Sequence, residues 1–357
     1  MAAILAPYAI LPSINEPDND VHRSIFNVFG NSCYERRNMF QDNVGAWCVG
    51  SSHDWLILLD TEGCPFLLNP ASSISIDLPP FSDSMMPHAR VNHSYYVESL
   101  LKSFVFKAVL VGSPSPLEYT LVIMYSYPCK LAFCTNKSST WVEFSDSEHY
   151  YSDIVSYINY LFALTKDGSI QGWNFNGQIP SKVFKSKPDG DNIDEEEEER
   201  EFPREKFSSQ TYLVISAREF LLVKRFVGNF VNADGQVVYE GYDDDGGEIC
   251  PYQTKCFFVY TLDFQENKWV KKGCLGDRAL FVGANESTIV AARAGCEANS
   301  IYFTDDRWEE MSLDYSYGGH DWGVFSLQDR SVRLLAPRTN KMDPPPVWMV
   351  PTPLRLS

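Results

Sequence analysis

The sequence lacks the short motifs that mark most catalytic and cofactor-binding sites. Its 357 residues contain no phosphate loop, no dinucleotide-binding fingerprint, no nucleophile elbow and no zinc ligand set. Histidine is scarce, with six residues, and none of them stands at metal-ligand spacing from a partner. We therefore expect no cofactor, no metal site and no enzymatic activity.

Paired cysteines and long apolar runs are also missing. The nine cysteines include no Cys-x-x-Cys pair, which argues against a zinc site or a disulfide framework and favours buried free thiols in a reducing compartment. No apolar run approaches the ~20 residues that a membrane span needs, and the N-terminus resembles neither a secretory signal nor a transit peptide. These features predict a monomer in the cytoplasm, the nucleus or both.

Basic residues are too few to balance the acidic ones, and the formal net charge is -17. Nucleic acids and anionic membranes are bound through clustered Lys and Arg side chains, so neither is an expected partner. Residues 187–205 and 240–248 together carry 12 of the 17 net negative charges. The acidity therefore belongs to two segments, and the sequence favours a protein partner with a basic or otherwise complementary surface.

Both acidic segments are candidate protein-docking loops, although solvated insertions without a function are the alternative. Residues 185–206 contain five consecutive glutamates and few apolar residues, which predicts a disordered loop between two strands. In the second segment, a calcium loop would need an acid at Gly241 and a glutamate at Tyr252, so a polar turn is expected there. The candidate docking residues are Glu195, Glu196, Glu197, Glu198, Glu199, Asp243, Asp244 and Asp245.

Short apolar runs separated by turn residues dominate the chain from Trp55 onward, which is typical of antiparallel hairpins. A turn followed by a strand with a tryptophan recurs near Trp141, Trp173 and Trp269, and we expect these side chains to pack within blades. The sequence predicts an all-β protein, a β-propeller of about six or seven four-stranded blades. A large β-sandwich or two barrels is the competing architecture.

The expected domain boundary lies at residue 45. Residues 46–357 should form the propeller, interrupted by the acidic loop at 185–206. Residues 1–45 should form a partly flexible N-terminal segment, in which only residues 20–40 have a trace of helical periodicity.

Two acidic pairs could hide catalytic chemistry. Asp305 and Asp306, together with His320 and Asp321, could form an acid-base or metal constellation if loops brought them together, as paired carboxylates do in glycoside hydrolysis. The alternative is that Asp305 and Asp306 cap a turn after a strand. His53 is expected in a turn before a strand, since no serine near it stands in a nucleophile elbow.

A series of landmarks, in one order from about residue 45 to the C-terminus, resembles the plant F-box-associated β-propeller family of the KIB type. The landmarks are 50–56 (GSSHDWL), 67–70 (LLNP), 78–80 (LPP), 131–134 (LAFC) with Trp141, 268–270 (KWV), 275–283 (LGDRALFVG), 295–306 (GCEANSIYFTDD), 323–325 (GVF) and 344–348 (PPPVW).

The resemblance implies a propeller without known catalysis or cofactor. In the best-described branch of that family, the propeller recruits a kinase of the glycogen-synthase-kinase type and delivers it for ubiquitination through an F-box that binds the Skp1 adaptor. Residues 1–45 contain no recognisable F-box. Three functions follow as hypotheses: a non-enzymatic protein-binding propeller, a substrate-recognition subunit of an SCF-type ubiquitin ligase with a degenerate F-box, and a carbohydrate-binding or glycoside-processing propeller.

Overall fold

Six radial β-sheets surround a central axis, and each sheet is one blade of a β-propeller. The computed structural model describes residues 7–11, 22–28, 32–37, 45–85, 103–112, 115, 118–126, 128–144, 150–177, 179–188, 195–216, 219–239, 249–292, 295–307, 318–335, 342 and 344–351. The all-β prediction and the propeller architecture are confirmed, and the number of blades is six.

Blades 1 to 3 each have four strands, named here from the axis outward. Their bounds are, for blade 1, β25 (Val347–Met349), β1 (Tyr8–Ile10), β2 (His22–Asn27) and β3 (Ser32–Arg37); for blade 2, β4 (Trp47–Ser52), β5 (Trp55–Leu59), β6 (Pro65–Asn69) and β7 (Ile74–Asp77); for blade 3, β8 (Val105–Leu110), β9 (Thr120–Tyr125), β10 (Lys130–Thr135) and β11 (Val142–Glu143).

Blades 4 and 5 follow the same pattern, and blade 6 has five strands. Their bounds are, for blade 4, β12 (Tyr151–Tyr157), β13 (Tyr160–Thr165), β14 (Ile170–Asn174) and β15 (Ser181–Ser186); for blade 5, β16 (Phe207–Ile215), β17 (Phe220–Val231), β18 (Cys250–Asp263) and β19 (Lys268–Lys271); for blade 6, β21 (Thr288–Ala291), β20 (Arg278–Val282), β22 (Ser300–Phe303), β23 (Gly323–Ser326) and β24 (Ser331–Leu334).

Burial falls from the axis outward and explains the sequence pattern. Strands β4 and β5 are buried at every position because other blades cover both of their faces, so they read as continuous apolar runs. The outermost strand β15 alternates between exposed and half-buried residues. Gly50 in β4 permits the closest approach between inner strands, because a Cβ atom there would lie 2.8 Å from the carbonyl oxygen of Ala108.

The two ends of the chain close the ring within blade 1. Tyr8, Ala9 and Ile10 pair with Met349, Trp348 and Val347, so the C-terminal strand is the innermost strand of a blade whose other strands are N-terminal. Side chains alternate across β25. Val347 and Met349 pack in the core shared with blade 2, whereas Trp348 packs on blade 6.

Blade 6 departs from the regular pattern, since β20 and β22 are parallel. The connection from β20 to β21, residues 283–287, crosses the axis of the ring and is called here the axial loop. All five of its residues are buried. Glu286 receives hydrogen bonds from Ser52 of blade 2 (2.8 Å) and from the backbone amide of Ser156 of blade 4 (2.8 Å). The axial loop therefore obstructs the central channel with a carboxylate that is satisfied by two other blades.

Two sequence-based boundaries are corrected by the structure. Strands β1, β2 and β3 belong to blade 1, so the propeller begins well before residue 46, and residues 20–40 contain strands where a trace of helical periodicity was expected. In the predicted disordered loop at 185–206, residues Glu195–Glu201 form a helix, α1, although residues 189–194 lie outside the described part of the chain. Helix α1 is ordered because apolar and basic side chains of blade 5 hold it, which the sequence run alone could not show.

The tryptophans of the weak repeat pack within and between blades, as expected. Trp173 and Trp269 are buried, and Trp141 donates a hydrogen bond to the carbonyl oxygen of Pro79 in the preceding blade (2.7 Å). The eight cysteines that the structure describes are free thiols, five of them buried. No helix among the described residues has the length and apolar content to cross a membrane.

The closure of the ring should make Trp348 a principal contributor to stability. Its buried indole makes edge contacts with Phe281 (5.3 Å), Tyr302 (5.7 Å) and Trp322 (6.1 Å). We expect Trp348→Ala to lower the free energy of unfolding by about 3–5 kcal/mol, as for other large core truncations. Ile179→Ala, at a side chain that is 77% exposed, should change it by less than about 0.5 kcal/mol. Equal unfolding midpoints for both variants in urea would contradict this account.

Candidate functional site

A polar cavity opens at one end of the ring. It has a volume of about 570 Å³ and lies where the inner strands β12 and β16 begin. We call this end the cavity face. In four-stranded antiparallel blades, the connections that precede the innermost strand and those between the second and third strands lie at the same end. Helix α1 precedes the innermost strand β16, so it lies beside the cavity face.

Blades 3 to 6 contribute the walls of the cavity, and Gly283 of the axial loop contributes to its floor. Gly283 has a φ of 130°, and a Cβ atom there would lie 2.2 Å from the hydroxyl oxygen of Thr304. Only glycine allows the chain to turn toward the axis at this point. The polar and charged lining residues are Lys107, Ser152, Asp153, Lys166, Ser208, Ser209, Gln210, Thr211, Tyr212, Lys224, Asp306 and Arg307.

At the floor of the cavity, Lys107 and Asp153 form a buried ion pair across blades 3 and 4, with 2.5 Å between Nζ and Oδ1. Asp153 also accepts hydrogen bonds from the backbone amides of Leu213 (2.7 Å) and Ile154 (2.9 Å). Burial raises the pKa of Asp153, and the charge of Lys107 opposes that rise. The pair therefore fastens three inner strands together and leaves no unpaired charge at the floor.

Asp305, Asp306 and Asp321 come together as the sequence allowed, but they do so around an arginine. Arg225 of β17 is fully buried, and its guanidinium donates to Asp321 Oδ2 (2.9 Å) and to Asp306 Oδ1 (3.1 Å). It also donates to Thr254 Oγ1 (2.7 Å) and to the carbonyl oxygen of Thr304 (2.8 Å). Because Arg225 belongs to blade 5 and the three aspartates belong to blade 6, this cluster joins the two blades.

His320 and Asp305 lie behind the arginine, away from the cavity. Burial, and next the charge of Asp321, raise the pKa of Asp305 to about 6. For His320 burial lowers the pKa, but the hydrogen bond with Cys250 and the charge of Asp305 outweigh it and bring the pKa to about 9. His320 Nε2 lies 2.9 Å from the carbonyl oxygen of Tyr252, an arrangement in which the ring donates.

The geometry does not assemble a pair of free carboxylates for glycoside hydrolysis. Of the three aspartates only Asp306 lines the cavity, and the other carboxylate there is Asp153. Each is bound by a buried cation, Arg225 or Lys107. Glycosidases instead hold one carboxyl group protonated and one free on either side of the scissile bond. Within the described ranges, no group of three or more His, Cys, Asp or Glu side chains could hold a metal ion.

His53 occupies the turn between β4 and β5, as expected, with positive φ values at His53 and Asp54. Its Nδ1 lies 3.0 Å from Ser52 Oγ, and Ser52 donates to Glu286. A catalytic serine would pass its proton to a histidine that a carboxylate orients. Here the buried serine binds the carboxylate directly, so the group anchors the axial loop.

Among the candidate docking glutamates of helix α1, Glu198 turns into the propeller, whereas Glu196, Glu197 and Glu199 are exposed. Glu198 is buried and pairs with Lys224, while Glu197 pairs with Lys271 (3.1 Å). Glu199 pairs with Arg204 (3.0 Å), and Glu196 is exposed. Asp243, Asp244 and Asp245 lie outside the described residues, in the connection between β17 and β18.

Sequence reasoning missed Lys107, Arg225 and Glu286, which hold the cavity region together. A signal existed for two of them, because Lys107 and the pair Lys224-Arg225 interrupt otherwise apolar strands. Buried charges in strands are rare unless they are paired. Since neighbouring residues on a strand face opposite sides, Lys224 points to helix α1 while Arg225 points to blade 6.

Loss of the Arg225 guanidinium should destabilise the whole propeller. Arg225→Met leaves Asp306 and Asp321 buried without a compensating charge, which should cost about 3–5 kcal/mol of unfolding free energy. Arg330→Met is the matched control, because Arg330 forms a half-exposed ion pair with Glu201, and pairs of that kind contribute about 0–1 kcal/mol. Chemical denaturation measures both variants, and a loss of less than about 1 kcal/mol for Arg225→Met would refute the structural role.

The charge of His320 should produce a measurable pH dependence of stability. A folded-state pKa raised from 6.5 to about 9 stabilises the fold below pH 6.5, and that contribution is lost as the pH rises through 9. The stability difference between the wild type and His320→Gln should therefore shrink by about 3 kcal/mol between pH 6.5 and pH 9.5. The stability difference between the wild type and Ile179→Ala should stay constant over the same pH range. A constant stability difference for His320→Gln would show that folding does not raise the pKa of His320.

Comparison with solved structures finds matches at low similarity. The N-terminal domain of Nup159 is 15% identical, with 75% of this chain and 63% of that chain covered and a TM-score of 0.34. The Cps50 (Swd1) β-propeller of Myceliophteria thermophila is 10% identical, with 93% and 88% covered and a TM-score of 0.34.

Comparison with curated proteins finds F-box proteins of Arabidopsis thaliana. The putative F-box protein At5g55150 is 23% identical, with 88% of this chain and 76% of the relative covered. The probable F-box protein At4g22060 is 19% identical, with 84% and 73% covered. Residues 26–326 match the model of the KIB1-4 β-propeller family. The matched residues run from β2 of blade 1 to β23 of blade 6. The chain therefore belongs to the KIB1-4 β-propeller family.

Proposed function

We propose that this chain is a non-enzymatic protein-binding propeller that receives its partner at the cavity face. The observation that carries the proposal is the central cavity, which is open at one end and floored by the axial loop. Two large aromatic side chains stand exposed on the same face, Tyr150 at 53% and Tyr239 at 51%. Exposed tyrosines beside a concave polar surface are typical of protein interfaces.

The pairing of the buried charges supports binding over catalysis. Lys107 and Asp153 satisfy each other, as do Lys224 and Glu198, so these groups are not poised to transfer protons to a ligand. The formal net charge of -17 favours a partner with a basic surface, which it would attract from a distance. A protein kinase or another regulatory protein is the partner class that the family resemblance implies.

The names of the relatives favour a second candidate function, substrate recognition in an SCF-type ubiquitin ligase. The described part of the N-terminal region forms strands of blade 1, so contact with a Skp1-type adaptor would need a surface other than these paired strands. A purified mixture of the chain with a Skp1-type adaptor tests this candidate. Co-elution in size-exclusion chromatography supports it, and separate elution opposes it.

Two double variants distinguish the cavity face from the opposite face. Tyr150→Ala with Tyr239→Ala should reduce partner recovery by ~10-fold or more, since central aromatic side chains each contribute about 1–2 kcal/mol or more to interfaces. Ile158→Ala with Phe264→Ala is the matched control, because these residues are 60% and 57% exposed in turns at the opposite end. Proximity labelling in plant cells, followed by pull-down with purified protein, measures recovery.

The control variant should recover the same labelled proteins as the wild type. The reverse pattern would assign the partner to the opposite face and reject the cavity face. Unchanged recovery by both variants would reject an interface at either set of residues.

A further inference from the structure

Helix α1 and the residue after it, Phe202, fill a groove between blades 5 and 6. The groove is lined by Lys224, Phe226, Phe258, Tyr260 and Lys271 of blade 5 and by Arg330 of blade 6. Residues 197–202 contact it through three glutamates and one phenylalanine. The chain thus places one of its own surface segments in a site built from basic and aromatic side chains.

The acidic contact is specific and desolvated. Glu198 is only 6% exposed, and its two carboxylate oxygens bind different donors. One oxygen accepts a hydrogen bond from the Lys224 ammonium, and the other accepts one from the hydroxyl of Tyr260 at 2.7 Å. Charge-assisted hydrogen bonds of this kind are stronger than neutral ones, so the groove recognises a carboxylate at this position.

The aromatic contact lies one helical turn further along. The ring of Phe202 stacks on Phe226 at 4.2 Å and meets the edge of Phe258 at 5.7 Å. Lys271 lies 4.0 Å and Arg330 5.3 Å from the centre of the Phe258 ring, so cations surround the aromatic wall of the groove. The groove therefore selects an acidic residue followed, four positions later, by an aromatic one.

The segment in the groove is a poor helix by itself. Seven residues are too few for an isolated helix. Glu197 and Glu201 also stand at the spacing i, i+4, and like charges at that spacing destabilise a helix. Helix α1 exists because the groove holds it, and elements held in this way open more easily than the core of the fold.

We propose that the groove between blades 5 and 6 is a docking site for a protein segment with a glutamate and a phenylalanine four residues apart. The chain's own residues 197–202 occupy it as an intramolecular competitor. A partner segment of the same chemistry displaces them and replaces their ion pairs with Lys224, Lys271 and Arg330. The proposal rests on the proposed protein-binding function, but it concerns a surface beside the cavity and not the tyrosines of the cavity face.

A peptide with the sequence of residues 195–206 (EEEEEREFPREK) tests this proposal when it is supplied as a separate, fluorescently labelled molecule. Fluorescence anisotropy measures its Kd for the wild type and for the variant Glu198→Gln with Phe202→Ala, in which the internal segment no longer fits. We expect the variant to bind the peptide at least ~10-fold more tightly than the wild type does. In the wild type, helix α1 occupies the groove, so the apparent affinity for the peptide is reduced to the fraction of molecules in which the groove is open.

Two controls tie the binding to the groove. A peptide that carries the same two substitutions should bind neither protein, and Lys224→Ala added to the variant should abolish the gain in affinity. Equal affinity of wild type and variant would show that the peptide does not compete with helix α1, which overturns the proposal. Absence of binding to every variant would also overturn it, because the groove would then serve packing alone.

The test stays decisive if the double variant does not fold. The single variant Glu198→Gln keeps Phe202 in the core and weakens only the acidic contact. It can be compared with the wild type in the same binding measurement, with a smaller expected gain in affinity for the peptide. Since Tyr150 and Tyr239 are unchanged in all of these proteins, failure of peptide binding is distinguishable from failure of the cavity face to bind a partner.

Discussion

The antiparallel pairing of Tyr8–Ile10 with Val347–Met349 is the interaction on which the rest of the structure depends. A propeller without this pairing would be an open row of sheets whose first and last blades expose their apolar faces. The closing strand places Trp348 on blade 6 and its neighbours on the core of blade 2. One three-residue strand thereby connects cores that would otherwise lie at opposite ends of the row.

Closure of the ring creates a second requirement, since six blades leave a channel at the axis that must be filled or hydrated. This chain fills it with the axial loop, whose Glu286 is bonded to blades 2 and 4, and with the Lys107–Asp153 pair above it. The Arg225 cluster likewise joins blades 5 and 6 through paired buried charges. Buried charges here are neutralised and hydrogen-bonded, so they specify how blades meet and are costly to remove singly.

Three of the landmarks that revealed the family from sequence belong to this closure or to its charge clusters. Residues 277–283 form β20 and the start of the axial loop, residues 300–306 end in Asp306, which binds Arg225, and residues 344–348 lead into the closing strand. The sequence predicted the all-β class, the propeller, the family and the packing role of the tryptophans correctly. It placed the propeller boundary too late, because β2 and β3 are rich in polar and charged residues and carry no apolar run. It expected disorder where helix α1 lies, because a run of glutamates carries no sign of the groove that holds it.

From Trp55 onward, local pattern by itself indicated the strands and turns, and the ordered landmarks indicated the protein family. Alternation, turn residues and apolar runs depend only on neighbours in the chain. Tertiary structure alone decided that Asp306 and Asp321 meet Arg225, that Glu286 reaches across the axis to Ser52, and that Glu198 binds Lys224. The residues that meet at the axis and between blades 5 and 6 are separated by more than 80 positions. The packing of blade 6 on blade 5 brings the aspartates to Arg225, and the ring of blades brings Ser52 to Glu286.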